Sequence, residues 1–202
     1  MQKKKINRNA IFTAVFGILL FLALMIYALK QDPNYNPSQL VGEVAPIISA
    51  PLTTGGSFNS EQYFQKNKWV ILNFWSSFCS VCRGEAPEME YFYQLTQQKN
   101  DKFPYFVSIN IQDNTETIKD WQKNYGQSFP VVQDLKGLIS IQYGVTGTPE
   151  TFFIDPQAKV RYRVAGQINR NIILQFIEWL EKNPTANQNE TTKAFISLRS
   201  NS

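Results

Sequence analysis

Phe74-Trp75-Ser76-Ser77-Phe78-Cys79-Ser80-Val81-Cys82 contains the two cysteines of a 202-residue chain, two residues apart. They close a strongly apolar run, Trp69 to Trp75, of the kind that forms a strand buried on both faces in a parallel sheet. Arg83-Gly84-Glu85-Ala86-Pro87-Glu88-Met89-Glu90 follows, acidic and helix-compatible, and Met89, Phe92 and Tyr93 then recur at helical spacing. The cysteine pair is therefore expected where a strand ends and a helix begins. Free amide N–H groups and the helix dipole favour a thiolate there, and the thiolate is the nucleophile.

Composition narrows the chemistry. The chain has no histidine, which excludes a Ser-His-Asp triad, a Cys-His protease pair and a His-ligated metal. Arg83 follows Cys82, so the pair is not a CxxCH haem attachment. Two cysteines alone do not complete a structural zinc site. A dithiol/disulfide couple is the leading chemical reading, with no metal and no cofactor implied. An inert structural disulfide is the competing one. A two-residue loop constrains the unfolded chain little, so stabilisation is a poor reason for such a bond.

The net charge of +4 misleads. Lys3, Lys4, Lys5, Arg8 and Lys30 lie in the first thirty residues, which hold no acid, and the rest carries 15 basic and 16 acidic residues. No basic patch points to nucleic acid. The positive block belongs instead to Ala10–Leu29, twenty uncharged apolar residues, which at about 1.5 Å per residue span about 30 Å, the bilayer hydrocarbon thickness. Flanking charge puts residues 1–9 in the cytoplasm and the rest outside. A cleaved signal peptide would have a shorter apolar core and a small-x-small site. Met25-Ile26-Tyr27-Ala28-Leu29-Lys30 offers none, which favours an uncleaved anchor over residues 10–29. Residues 30–42, with Pro33 and Pro37, read as an extended spacer.

The folded domain is expected over residues 43–182. Val44–Leu52 is strand-like, Gly55-Gly56 a hairpin turn, and Asn59 or Ser60 a cap for a short helix through Gln65. Tyr105–Ile111 reads as a strand. Thr115–Tyr125 reads as a helix packed by Ile118, Trp121 and Tyr125, with Trp121 in the core. Pro130–Val132 is a short strand and Leu138–Tyr143 a short helix ending at Gly144. Thr151–Ile154 and Lys159–Ala165 form a hairpin about the turn 155–158. Asn169 caps a helix to Lys182 with a broad apolar stripe. Residues 183–202 read as a polar, disordered tail, with docking through Phe195 and Ile196 as the less favoured alternative. Alternating strands and helices, closed by a hairpin and a helix, imply an α/β fold: a mixed sheet with helices on both faces.

Trp75-Ser76-Ser77-Phe78-Cys79-Ser80-Val81-Cys82 resembles the thioredoxin-fold W-x-x-x-C-x-x-C signature. Pro87 fits the proline that kinks the active-site helix, and Gly147-Thr148-Pro149 the loop bearing the fold's cis-proline. Within that superfamily the chain resembles the membrane-tethered CcmG/DsbE group, thiol–disulfide interchange proteins of cytochrome c maturation. The likeness extends to the basic anchor, to Leu40-Val41-Gly42-Glu43-Val44-Ala45-Pro46, to Cys82-Arg83-Gly84-Glu85 and to Gly144–Asp155. It covers roughly residues 10–182. That group often has proline inside the CxxC, where this chain has Ser80-Val81, and tryptophan where it has Phe78.

The resemblance implies a thioredoxin-like mixed sheet flanked by helices and preceded by one transmembrane helix. It implies Cys79 as the attacking thiolate, Cys82 as the resolving thiol and a redox-active Cys79–Cys82 disulfide. Glu85, one turn beyond Cys82, is the implied proton carrier, with a solvated helix acid as the alternative. Asn73 stands where cytoplasmic thioredoxins have a buried aspartate, which makes Glu85 more necessary. Thr148 and Pro149 are expected to meet an extended substrate. Trp75 and Glu150 are also counted among the substrate contacts, though Trp75 also reads as floor packing and Glu150 as a surface acid. The implied activity is that of a periplasm-facing reductase on a bacterial inner membrane. Its partners would be apocytochrome c, or a maturation protein carrying its disulfide, and a transmembrane thiol reductase as electron donor. A general disulfide oxidase or isomerase, and a Cu(I)-binding carrier, are the alternatives. The first would favour a histidine within the CxxC, and the second a histidine and a longer cysteine spacing.

Overall fold

A computed structural model describes residues 8–29, 38–98 and 103–200. The chain divides into two units, Met1–Asn36 and Pro37–Ser202. The first contains helix α1, Arg8–Leu29, on which Phe12, Phe16 and Leu19, among other described apolar side chains, are exposed. Among the described residues no helix is long and apolar enough to cross a membrane. Residues 1–7 of the basic segment 1–9 and residues 30–37 of the spacer lie outside the described residues.

The second unit is built on strand β3, Val70–Trp75, all six residues of which are buried. A short hairpin, β1 (Ser49–Pro51) and β2 (Ser57–Asn59), and the one-turn helix α2 (Glu61–Phe64) precede it. The longer strand expected over 44–52 is reduced to these three residues, with Val44 and Leu52 making only isolated bridges to Lys159 and Val132; Pro46, between Val44 and β1, has no N–H to give to a ladder. After β3 come α3 (Ser80–Gln97), β4 (Tyr105–Ile111), α4 (Thr115–Tyr125), β5 (Val131–Asp134) and α5 (Leu138–Tyr143). The hairpin β6 (Glu150–Ile154) and β7 (Val160–Ala165) and the helices α6 (Arg170–Lys182) and α7 (Gln188–Ser200) complete the unit.

The sheet order is β5-β4-β3-β6-β7. β3 runs parallel to β4, and β4 to β5; β3 and β6, and β6 and β7, are antiparallel. Alternation along β3 sends Ile71 and Trp75 into one core, with Met89 and Phe92 of α3, Trp121 of α4 and Ile173, Phe176 and Leu180 of α6. Val70, Leu72 and Phe74 enter the other, with Ile139 and Tyr143 of α5 and Phe58, Phe64 and Phe152. Asn73 shares the first face, and that register carries a polar side chain towards α3.

Two expectations from the sequence are corrected. The spacer read over 30–42 ends earlier. Leu40 and Val41 pack against the second core, the Gly42 N–H donates to the Val160 carbonyl (2.8 Å), and the Val160 N–H returns a bond to Glu43 (2.9 Å). The tail read as disordered carries α7. Asn187 Oδ1 accepts from the Glu190 N–H (3.1 Å) and Glu190 Oε2 from the Asn187 N–H (2.9 Å), a reciprocal capping box at the helix start. Phe195 is buried, with ring centroids 5.1 Å from Phe176 and 5.3 Å from Tyr162. We expect Phe195→Ala to cost about 3 kcal/mol in urea denaturation, as for other buried phenylalanines. A loss below about 0.5 kcal/mol would mean that α7 is not docked.

Candidate active site

The end of β3 and the start of α3 deliver the cysteines. Cys79 is the N-cap of α3, in extended conformation, and its Sγ accepts from the Cys82 N–H at 3.0 Å. A sulfur thus occupies the place of a capping oxygen, over N–H groups that the helix leaves unpaired. The two cysteines form a disulfide, with Cα atoms 5.2 Å apart. Cys79 is the more exposed of the two, while Cys82 is 3 % exposed. Phe78 and Val81 flank Cys79 as exposed apolar side chains. Pro87 lies inside α3, where its missing N–H leaves the Arg83 carbonyl without its i+4 donor.

The loop before β6 closes on the sulfur. The Thr148–Pro149 peptide is cis, and the Thr148 carbonyl oxygen lies 3.3 Å from Cys79 Sγ. Beside it a groove of about 370 Å³ is lined by Ser76, Ile111, Gln112, Lys136, Ile141 and Thr148 among others. Trp75 and Glu150, expected among the substrate contacts, instead face inward. Trp75 is 4 % exposed, its Nε1–H donates to Ser108 Oγ (2.8 Å), and its ring packs on Trp121. Glu150, read otherwise as a surface acid, is 1 % exposed. Arg163 of β7 meets it with Nε on Oε2 (2.8 Å) and Nη2 on Oε1 (2.6 Å). Oε1 also accepts from the N–H groups of Thr146 (2.9 Å) and Gly147 (3.1 Å). Glu150 therefore ties down the cis-proline loop from below. Arg163 went unread in the sequence; its place in the hairpin strand, diagonal to Glu150, is the signal that could have found it.

Beneath the disulfide lies a buried carboxyl. Glu85 is 1 % exposed, so the alternative of a solvated helix acid does not describe it. Its Oε1 accepts from the Ile168 N–H (2.9 Å) and its Oε2 from Asn73 Nδ2 (3.0 Å), which also reaches Thr151 Oγ1 (3.2 Å). Burial pushes its pKa up from 4.5 to about 7, against the two hydrogen bonds, which pull it down. The carboxyl therefore changes charge near neutral pH, one helical turn beyond Cys82.

Sequence and fold both liken the chain to known proteins. Residues 41–163, more than half of the chain, match the AhpC/TSA family. The DsbE thiol:disulfide interchange protein of Pasteurella multocida (strain Pm70) is 30% identical over 175 residues, covering 82% of this chain and 91% of its own. The chain belongs to the DsbE family. The DsbE of Escherichia coli (strain K12) is 32% identical over 164 residues, with 80% and 84% covered. A solved structure of a putative DsbE from Chlorobium tepidum, 26% identical, superposes with a TM-score of 0.55 over 69% of this chain and 93% of its own. This DsbE-family chain is accordingly a thioredoxin-like thiol–disulfide oxidoreductase, and the two cysteines of its single CxxC are joined in a disulfide.

The raised pKa of Glu85 has a stability consequence of fixed sign. Between 4.5 and about 7 the folded protein binds a proton that the unfolded chain has released. Stability contributed at this site is thus complete below 4.5 and declines as pH rises to about 7. The slope is about 1.4 kcal/mol per pH unit, of which relaxation around the carboxyl removes part. Chemical denaturation from pH 4.5 to 8 should show this decline in the parent protein and a flatter profile in Glu85→Gln. Parallel profiles would place the Glu85 titration outside this window.

Proposed function

We propose that the protein is a membrane-anchored protein-disulfide reductase of cytochrome c biogenesis, working on the outer face of a bacterial inner membrane. The observation that carries this reading is Glu85, a buried carboxyl one helical turn beyond the less exposed cysteine, its pKa raised by burial to about 7. A reductase must ionise its resolving thiol at every turnover, and such a group takes that proton near neutral pH. The resemblance to the CcmG/DsbE group supplies the pathway. The uncharged run Ala10–Leu29, with basic residues before it, supports the anchor and its orientation.

In the proposed cycle the Cys79 thiolate attacks one sulfur of a client disulfide, and the client's other sulfur leaves as a thiolate. The client chain lies against the Thr148 carbonyl and the neighbouring groove, with Phe78 and Val81 offering apolar contact. Cys82 then gives its proton to Glu85 and attacks Cys79 Sγ. The second client sulfur departs and takes up a proton, so two electrons have passed from the cysteine pair to the client. The Cys79–Cys82 disulfide that remains is returned to the dithiol by a transmembrane thiol reductase. Clients are apocytochrome c or a maturation protein holding its disulfide.

Cys82→Ser removes the resolving thiol and should arrest the cycle at the mixed disulfide. Expressed in cells that make c-type cytochromes, this variant is expected to retain CxxCH-bearing proteins, or a thiol protein of their maturation, through Cys79. Adding Cys79→Ser should release them. Recovery of no such adduct would overturn the assignment to cytochrome c biogenesis.

A further inference from the structure

The redox loop is held by a carboxylate that has no place in the exchange chemistry. Asp113, just beyond the end of β4, is 3 % exposed. Its Oδ2 accepts from the Ser77 N–H (2.8 Å) and from Asn110 Nδ2 (2.7 Å), and its Oδ1 from the Ser77 hydroxyl (2.8 Å). The Asp113 N–H donates to Asn110 Oδ1 (3.2 Å), and its carbonyl accepts from Gln133 Nε2 (3.0 Å). The acid is thereby fixed to β4 and β5 while its carboxylate reaches the loop that leaves β3. Among the described residues, these bonds are the side-chain hydrogen bonds that tie residues 76–78 to the rest of the fold. Within the loop, the Phe78 N–H donates to Ser76 Oγ (3.3 Å) and the Cys79 N–H to the Ser76 carbonyl (3.2 Å).

We propose that Asp113 is a positioning residue for the redox pair, clamping Ser77 so that Cys79 is presented to Cys82 in one fixed geometry. A buried charge met by neutral donors costs more than a neutral side chain of similar shape. Neutral substitutes do not do the same work: an asparagine would turn an N–H₂ group towards donors. Two bonds from one residue fix both the backbone and the side chain of Ser77, two positions before the sulfur. Phe78, 86 % exposed, then projects beside Cys79 from a held loop. Releasing the clamp lowers the effective concentration of one sulfur against the other, and so weakens the disulfide relative to the dithiol.

The inference rests on thiol–disulfide exchange and not on the direction or clients proposed above. Its test needs neither. In glutathione buffers two glutathione thiols reduce the Cys79–Cys82 bond to two thiols and leave as one glutathione disulfide. Asp113→Ala should shift this equilibrium roughly tenfold towards the dithiol, and Ser77→Ala a smaller amount in the same direction. The double variant should go no further than Asp113→Ala, because both changes remove the same contact. Asp155→Ala, which removes another buried carboxylate from the turn before β7, serves as the control. It should lower the melting temperature and leave the equilibrium in place. If Asp113→Ala does not fold, Asp113→Asn with Ser77→Ala carries the same comparison. An equilibrium constant unmoved within about twofold in the Asp113 and Ser77 variants, with lowered stability alone, would overturn the clamp.

Discussion

A sulfur seated where a helix cap belongs is the contact on which the site depends. Cys79 ends the run from β3 and begins α3, and its Sγ takes the Cys82 N–H that would otherwise lack a partner. In the proposed cycle the same atom must satisfy the helix terminus and carry out exchange. When the disulfide opens, those N–H groups and the aligned peptide dipoles face a sulfur that gains negative charge. Much else in the domain serves to hold that junction still. β3 is buried on both faces, Pro87 shapes the helix beyond it, and the cis-proline loop closes over it, held by Glu150 and Arg163.

Polar side chains beneath this junction are divided by task. Glu85 is denied water and held by Asn73 and the Ile168 N–H, so its proton is released near neutral pH. Glu150 is equally buried but meets a guanidinium in bidentate contact and serves the backbone of residues 146–147. Asp113 holds Ser77 through neutral donors only. Three buried acids therefore differ in what surrounds them: an amide and a backbone N–H, an arginine, and a serine with an asparagine. Their surroundings raise the pKa of one to about 7 and bind the others to loops.

The parts of this arrangement set by local pattern were legible in the sequence. The stripe of Ile118 and Trp121 bounds α4, the Gly144 stop ends α5, and Asn169 caps α6, as their side chains and backbone show. Cysteine spacing at a strand–helix boundary pointed to the redox pair. What escaped was set by contacts between distant residues. Ser77 meets Asp113 across 36 positions, and Glu150 needs an arginine on the next strand. No periodicity records the first pair, and only the register of the hairpin points to the second. The C-terminal helix was missed for a different reason. Its anchoring on the core falls largely to one aromatic, Phe195, in a polar stretch, while Ile196 beside it stays exposed. The Asn187–Glu190 box was the local signal available.

The central claim is that position 79 carries a sulfur held as an accessible thiolate by the helix terminus. The most direct measurement is the alkylation rate of the reduced protein by iodoacetamide across pH, with the modified cysteine identified by peptide mass. Modification at Cys79, with an inflection well below the value of about 8.5 for a free cysteine, is the expected result. An inflection at or above that value, or preferential modification at Cys82, would contradict it.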